Sequence, residues 1–188
     1  MDKIISILGF AGSLRQGSYN RALLRTALDL VPEGAKLEIF DLDGIPVYNQ
    51  DLEPQRPQKV IEFKAKIKTA DALLIVTPEY NYSVPGVLKN AIDWASRPPT
   101  ENVFQGKPVA IMSASTGMLG GARAQYHLRQ TFVFLDMYPI NKPEVFVTFA
   151  DKKFDASGKC TDEKGLEIVS ALLKALVDWT KKLQRQSA

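Results

Sequence analysis

The chain alternates between short apolar segments and longer segments with helical periodicity, and this alternation constrains its fold more than any other feature. Apolar runs rich in β-branched residues predict strands at residues 3–8, 36–40, 71–77, 108–113 and 144–149. Apolar residues at helical spacing predict helices at residues 18–31, 57–69, 85–96, 121–135 and 162–184. Elements in this order predict an α/β fold with parallel strands, right-handed crossovers and helices on both faces of the sheet.

Two of the predicted strands are apolar at consecutive positions, Ala72 to Val76 and Val109 to Met112. Such runs are typical of strands buried on both faces, so we expect these two at the centre of the sheet. In an open parallel sheet, ligands bind beyond the carboxyl ends of the strands, near the point where the strand order reverses. The loops after strands 1, 3 and 4 are therefore predicted to converge on one site.

The 188 residues fit one domain, residues 1–188, because no shift in composition and no long linker divides them. The chain has no apolar run long enough to cross a bilayer. Its N-terminus runs directly into the first predicted strand, without the pattern of a signal peptide. We therefore expect a cytoplasmic protein that has no membrane partner.

The net charge, the single cysteine and the single histidine exclude several classes of function. The net charge of +3 is small and the basic residues are interspersed with acidic ones, so we expect no nucleic-acid partner. The single cysteine, Cys160, excludes an internal disulfide and a metal site with several thiolates. The single histidine, His127, has no second histidine to form a metal pair. The sequence therefore predicts no metal site.

The first of the three loops, Gly12 to Asn20, joins a predicted strand to the N-terminus of a predicted helix. Such a position offers free backbone N–H groups and the positive end of the helix dipole, which favour an anion. The loop lacks the lysine of a nucleoside triphosphatase and the glycine spacing of a dinucleotide-binding motif. It offers instead hydroxyls and an amide (Ser13, Ser18, Asn20) and one guanidinium (Arg15), a set that suits a single terminal phosphate.

These side chains favour a mononucleotide as the ligand of the first loop, with FMN the leading candidate. The alternative is a polar, glycine-rich turn in which Ser18 or Asn20 only caps the helix. The residues of this loop alone leave both interpretations open.

The loops after predicted strands 3 and 4 suit a flat ligand. In the first of them, Pro78 fixes the chain direction and Pro85 delays the next helix, which predicts an extended, rigid rim of backbone donors and acceptors. A flavin ring needs such groups along its polar edge. In residues 113–121, small side chains allow close approach to a ring. Each loop alone is also consistent with an ordinary connection rich in proline and glycine.

Together the loop motifs resemble those of the NAD(P)H-dependent FMN reductase family, in particular its quinone and chromate reductase branch. The motifs are G-S-L-R-x-G-S-x-N from residue 12, P-E-Y-N from residue 78 followed by P-G-x-L-K-N-A-x-D-W, and S-x-G-x-x-G-G from residue 115. The resemblance implies a flavodoxin-like three-layer sandwich whose five-stranded parallel sheet has the order 2-1-3-4-5. It also implies non-covalent FMN and assembly into homodimers or homotetramers. The segment at residues 41–57 has no clear counterpart in the family pattern and is a candidate for the mouth of the substrate site.

The resemblance also assigns roles to residues in all three loops. The flavin phosphate is assigned to Ser13, Arg15, Ser18, Tyr19 and Asn20, the flavin ring to Pro78, Glu79, Tyr80 and Asn81, and the other edge of the ring to Ser115 and Gly117. Apart from the resemblance, we expect Tyr80 and Tyr82 to flank the substrate over the ring and Arg15 to stabilise negative charge near it. No side chain is assigned as a catalytic group, because flavin N5 carries the chemistry.

The implied function is that of an FMN-dependent NAD(P)H oxidoreductase that reduces quinones by hydride transfer through flavin N5, with NADPH or NADH as the donor. Chromate, nitro compounds and azo compounds are expected as adventitious acceptors. One alternative is an NAD(P)H:FMN reductase that supplies free reduced flavin to a partner. Another is an electron carrier of the flavodoxin type, which the slightly basic net charge disfavours because such carriers are usually strongly acidic.

Overall fold

The computed structural model describes residues 3–186, so residues 1–2 and 187–188 of the predicted domain lie outside the described residues. The strands in this part of the chain are β1 (Ile5–Ala11), β2 (Ala35–Phe40), β3 (Ala72–Val76), β4 (Pro108–Ala114), β5 (Tyr138–Pro139) and β6 (Val145–Val147). The α-helices are α1 (Tyr19–Asp29), α2 (Gln58–Thr69), α3 (Gly86–Ala95), α4 (Ala122–Leu135) and α5 (Glu163–Gln186). The predicted alternation is confirmed, and each helix lies within two residues of its expected bounds.

The strands form a parallel sheet of order β2-β1-β3-β4-β5, with β6 also paired to β4, so the predicted strand order is confirmed. At the fifth position of the sheet the sequence predicts one strand, residues 144–149, but the structure has two short strands there, β5 and β6. β5 pairs with the first residues of β4, and β6 pairs with its last residues. Pro139 and Pro143 have no N–H to donate, so a continuous strand does not form through this part of the chain.

Apolar side chains pack on both faces of the sheet and produce three layers. One face is covered by α1 and α5, where Leu23 and Leu173 are buried. The other face is covered by α2, α3 and α4, where Phe63, Ile92 and Leu128 are buried. Both β3 and β4 are buried along their whole length, which confirms their predicted central place. The core therefore fixes the strands whose carboxyl ends carry the three loops.

β1 extends to Ala11, whereas the sequence pattern predicts its end at residue 8. Gly9 to Ala11 continue the ladder by pairing with Leu74 to Val76 of β3. A glycine interrupts the apolar run of the sequence, so the local pattern ends the strand too early. The first loop consequently begins at Gly12, whose N–H donates to the carbonyl of Val76 at 2.8 Å.

The longest helix, α5, is amphipathic. Val169, Leu173 and Leu176 are buried on one side of it, whereas Lys174 and Asp178 are exposed on the other. Among the helices within residues 3–186, none combines the length and the apolar character that a membrane span requires.

Asp71 ties the amino ends of β1 and β3 together. Its carboxylate accepts hydrogen bonds from the Ser6 N–H at 2.9 Å and the Ser6 hydroxyl at 2.8 Å, and it pairs with Lys3 Nζ at 2.6 Å. Burial acts to raise the pKa of this carboxyl, but the hydrogen bonds from Lys3 and Ser6 outweigh it and lower the pKa below the usual 3.8. A depressed pKa means that the ionised carboxylate stabilises the folded state.

We expect Asp71→Asn to lower the free energy of unfolding at pH 7 by about 1–3 kcal/mol, because it removes a charged hydrogen-bond acceptor. The contribution of Asp71 is present above pH 3.8 and is lost as the pH falls through the folded-state pKa. Urea unfolding at pH 7 and at pH 3 should therefore show a smaller difference between the variant and the wild type at pH 3. The exposed Asp178→Asn serves as the control, with a change within about 0.5 kcal/mol. An equal difference at both pH values would contradict the assignment.

Candidate active site

The loops after β1, β3 and β4 meet at the carboxyl edge of the sheet, as predicted. We call residues 12–18, 77–85 and 115–121 the first, second and third loops. The first loop packs closely against the second loop and α3: a Cβ on Gly12 would lie 3.5 Å from Pro78 Cδ in the second loop and 3.0 Å from Leu88 Cβ in α3. A side chain at position 12 would push these loops apart, so the glycine serves close packing there.

The first loop leads into α1 with the geometry of an anion site. Ser18 is the N-cap residue, and its hydroxyl accepts a long hydrogen bond of 3.4 Å from the Arg21 N–H, so the predicted capping role is present. The helix itself provides no acceptor for the N–H groups of Tyr19 and Asn20, its first two residues, and these groups are available to an anion. Ser13 is buried, whereas Arg15 is exposed, with its guanidinium beside Gly17. Capping and anion binding are therefore compatible in this loop.

Asn20 connects the first turn of α1 to the end of β4. Its side-chain amide donates to the Ala114 carbonyl at 2.8 Å, and its side-chain oxygen accepts from the Ala114 N–H at 2.9 Å. Asn20 is only 3% exposed. The side chain that the sequence assigns to the phosphate therefore faces β4 in this structure. Tyr19 likewise packs its ring against Phe154, with the centroids 5.7 Å apart.

Glu79 of the second loop holds the N-terminus of α4. Its carboxylate accepts from the Arg123 N–H at 3.0 Å and pairs with the Arg123 guanidinium, and these interactions raise the pKa of Arg123. The N-cap residue, Gly121, has no side chain that could do the same. The Glu79 side chain therefore faces α4 and fixes the position of the second loop.

Residues 80–83 form a tight turn, and the predicted extended rim is wrong for this part of the loop. Tyr80 and Ser83 exchange both backbone hydrogen bonds, at 3.1 and 3.0 Å. Asn81 and Tyr82 both have positive φ, at 50° and 65°, as in the turns that close hairpins. The Tyr80 and Tyr82 side chains are 50% and 68% exposed, and the Arg123 guanidinium lies 3.5 Å from the centre of the Tyr82 ring. The turn presents both tyrosines at the rim of the site.

The third loop is anchored to the segment that follows β6. Ser115 donates its N–H to the Val147 carbonyl at 2.9 Å, and its hydroxyl accepts from the Gly117 N–H at 3.1 Å. The Ala150 N–H in turn donates to the Ser115 carbonyl at 3.0 Å. This anchoring gives the exposed residue Gly117 a defined backbone position at the carboxyl end of β4. Within residues 3–186 there is no cluster of three or more acidic, histidine or cysteine side chains that could hold a metal ion.

The segment at residues 41–57 folds back over α3. Asn90 accepts from the Tyr48 N–H at 2.7 Å and donates to the Pro46 carbonyl at 2.8 Å. Trp94 Nε1 donates to the same carbonyl, and its ring meets that of Tyr48 edge to face. Sequence reasoning missed this role of Asn90 and Trp94. The signal was their spacing of four residues, which places both on one side of the helix.

The fold defines the class of protein: a flavodoxin-like α/β protein in which three loops meet at the carboxyl edge of the sheet, the first of them leading into α1. The chain belongs to the NADPH-dependent FMN reductase family, whose model matches residues 5–152. The family resemblance predicted from the motifs is thereby confirmed.

Individual relatives agree with this assignment. An NAD(P)H-dependent FMN reductase of Pseudomonas aeruginosa is 55% identical over 185 residues, which cover 98% of this chain and 100% of the relative. An NAD(P)H:quinone oxidoreductase of Solanum tuberosum is 48% identical over 180 residues, covering 92% of this chain and 91% of the relative. The solved structure of FerB, a flavoenzyme NAD(P)H:(acceptor) oxidoreductase from Paracoccus denitrificans, is 35% identical and superposes with a TM-score of 0.87, covering 95% of this chain and 98% of FerB.

Proposed function

We propose that this protein is an FMN-dependent NAD(P)H:quinone oxidoreductase. The observation that carries the proposal is that the first loop, with its hydroxyls, its guanidinium and the N-terminus of α1, meets two further loops at one edge of the sheet. An FMN molecule has one terminal phosphate and one flat ring with a polar edge, and these three loops offer a partner for each part. The relatives named as quinone reductases support the same acceptor class.

The residues of the first loop fit the phosphate. In this proposal the Ser13 hydroxyl, the Arg15 guanidinium and the first N–H groups of α1 hold it, since hydrogen bonds from charged and backbone donors suit a dianion. Ser18 contributes by capping the helix. Tyr19 and Asn20 contribute through the backbone, while their side chains hold the loop in place.

The second and third loops fit the ring. Pro78, Tyr80 and Asn81 would line the ring, with Glu79 acting indirectly because its carboxylate holds α4. Ser115 and Gly117 would lie along the other edge. When bound, FMN supplies two-electron chemistry at N5, by accepting a hydride from the nicotinamide and delivering it to the acceptor.

The remaining task of the protein is to orient a small acceptor over the ring. The exposed tyrosines Tyr80 and Tyr82 provide apolar surfaces for a quinone, and Arg15 provides positive charge for an acceptor that gains negative charge. Chromate, nitro compounds and azo compounds are included in the proposal as adventitious acceptors, because the exposed rim selects weakly among small oxidants.

The second candidate is an NAD(P)H:FMN reductase that releases reduced flavin to a partner, and the name of the 55% identical relative favours it. Steady-state oxidation of NADPH by desalted, FMN-loaded protein separates the two functions. The quinone reductase turns over with benzoquinone as the only acceptor and needs no added FMN. Turnover that depends on added FMN would favour the second candidate.

We further propose a homodimer or homotetramer in the cytoplasm, where NAD(P)H is available. The assembly is supported by large apolar side chains exposed on α4, with Val133 84% and Phe134 72% exposed. Val133 and Phe134 are neighbours in sequence, and patches of exposed apolar side chains commonly mark protein interfaces.

We expect Arg15→Ala to weaken FMN binding by about 10- to 100-fold, since hydrogen bonds to charged groups contribute about 1.5–3 kcal/mol. Quenching of flavin fluorescence during titration with the protein measures this affinity. Arg25→Ala is the matched control, because Arg25 is also an exposed arginine but lies on the body of α1. Equal FMN affinities of Arg15→Ala and Arg25→Ala would remove Arg15 from the phosphate site.

A further inference from the structure

The segment that follows β6 displays an aromatic ring beside the third loop. Phe149 is 46% exposed, and its backbone lies in the left-handed region, with φ 49° and ψ 47°. A bulky residue in this conformation is an outlier that persists only where its surroundings fix it, and such outliers cluster at functional sites. The Phe149 N–H donates to the Gly117 carbonyl at 3.4 Å, and the next N–H donates to the Ser115 carbonyl. The ring is therefore held at a defined place next to the third loop.

Two lysines border this ring. Lys152 Nζ lies 5.7 Å from the centroid of the Phe149 ring, and Lys153 Nζ lies 3.0 Å from Asp162 Oδ2. Phe149, the two lysines, Thr161 and Asp162 line an open cavity of about 470 Å³, in which the Asp162 carboxylate is paired with Lys153. Within the described part of the chain, Lys152 forms no ion pair. We call Phe149, Lys152, Lys153 and Thr161 the aromatic shelf.

The aromatic shelf lies between the third loop and the head of α1. Phe154, which follows the shelf lysines, packs against Tyr19 in the first turn of α1. A hairpin closed by a bridge between Phe154 and Cys160 leads to Thr161, whose N–H donates to the Lys153 carbonyl at 2.9 Å. The shelf is thus built into the fold and flanks the proposed flavin site.

The chemistry of the shelf matches one part of a nucleotide. An exposed aromatic ring stacks on a nucleobase, and a lysine binds a phosphate as a point charge. NADPH carries adenine and a 2′-phosphate on the same ribose, whereas NADH carries adenine without that phosphate. The charge of Lys153 is shared with Asp162, so Lys152 is the principal cation available to the phosphate.

We propose that the aromatic shelf binds the 2′-phosphoadenosine end of NADPH, with adenine on Phe149 and the 2′-phosphate at Lys152 and Lys153. The protein then prefers NADPH to NADH. This inference rests on the proposed function, because it concerns the electron donor of the same reaction. Phe149 contributes to the binding of both donors, because both carry adenine, whereas Lys152 contributes to the binding of NADPH alone, because only NADPH carries the 2′-phosphate.

Kinetics with both donors separates these roles. In Lys152→Glu, the ratio of kcat/KM for NADPH to kcat/KM for NADH is expected to fall about tenfold or more, because a phosphate contact becomes a repulsion. In Phe149→Leu, kcat/KM should fall for both donors by a similar factor. Lys174→Glu on the exposed side of α5 makes the same charge change away from the shelf and keeps the wild-type ratio. An unchanged ratio in Lys152→Glu would overturn the proposal.

Direct binding tests the shelf independently of turnover. Adenosine 2′,5′-bisphosphate is titrated into the FMN-loaded protein by calorimetry, and its affinity is expected to fall about tenfold in Lys152→Glu and to stay unchanged in Lys174→Glu. Equal affinities in both variants, or no binding to the wild type, would overturn the proposal. If the wild type oxidises neither donor but binds this probe through Lys152, the proposed function fails while the nucleotide shelf stands.

Discussion

Gly121→Ala is expected to lower the free energy of unfolding by about 2–5 kcal/mol and to disrupt the candidate site. Gly121 has φ 87°, and a Cβ there would lie 2.8 Å from Ser113 Cβ and 2.9 Å from Ser113 Oγ. Ser113 has no room to move, because it is fully buried and its hydroxyl donates to the Gly120 carbonyl and accepts from Gln125 Nε2. The substitution therefore combines left-handed strain of about 1–2 kcal/mol with overpacking of about 1–3 kcal/mol.

Gly34→Ala provides the matched control for this effect. Gly34 also has positive φ, at 79°, but a Cβ there would meet nothing within 4 Å. The control therefore isolates the strain, and we expect it to cost about 1–2 kcal/mol. Urea unfolding of both variants and of the wild type measures the two changes. Equal destabilisation by the two substitutions would show that the close contact at Ser113 is absent.

Asn20→Ala is expected to lower the free energy of unfolding of the FMN-free protein by about 2–6 kcal/mol. It leaves the N–H and the carbonyl of Ala114 without their partners, and Ala114 is only 3% exposed. Each buried polar group that loses its partner costs about 1–3 kcal/mol. The variant should also bind FMN more weakly, since the first loop is no longer tied to the end of β4. Urea unfolding without FMN, followed by FMN titration, measures both effects.

The exposed Asn141→Ala serves as the control for Asn20→Ala, with an expected change within about 0.5 kcal/mol. The FMN-free measurement decides between two roles of Asn20. A side chain that only contacts the phosphate would leave the FMN-free protein as stable as the wild type. That result would contradict the structural role described here.

The strand order and the helices could be predicted from the sequence because periodicity and buried apolar runs are local signals. The fully apolar strand at Ala72 to Val76 is an example, since its pattern alone places it at the centre of the sheet. The end of β1 was predicted too early, because its continuation past Gly9 depends on pairing with β3. The division of the fifth strand position into β5 and β6 also depends on pairing with β4. β5 pairs with β4 at two positions and β6 at three, and prolines interrupt the chain between them.

The position of the candidate site could also be predicted, but not the direction of every side chain in it. Asn20 lies in the first turn of α1 and Glu79 in the second loop, where the motifs place them, yet their side chains bond to β4 and α4. Those partners lie more than 40 residues away in sequence, so no local pattern identifies them. The tight turn at Tyr80 to Ser83 was missed because residues other than glycine adopt its positive φ angles.

The absorbance spectrum of the protein during one reaction cycle tests the central claim most directly. The protein is incubated with FMN, desalted, reduced anaerobically with one equivalent of NADPH and then mixed with one equivalent of benzoquinone. We expect the flavin bands to persist after desalting, to bleach with NADPH and to return at once with the quinone. A protein that retains no flavin, or whose bound flavin is not reduced by NADPH, would contradict the account of the three loops as the FMN site of a quinone reductase.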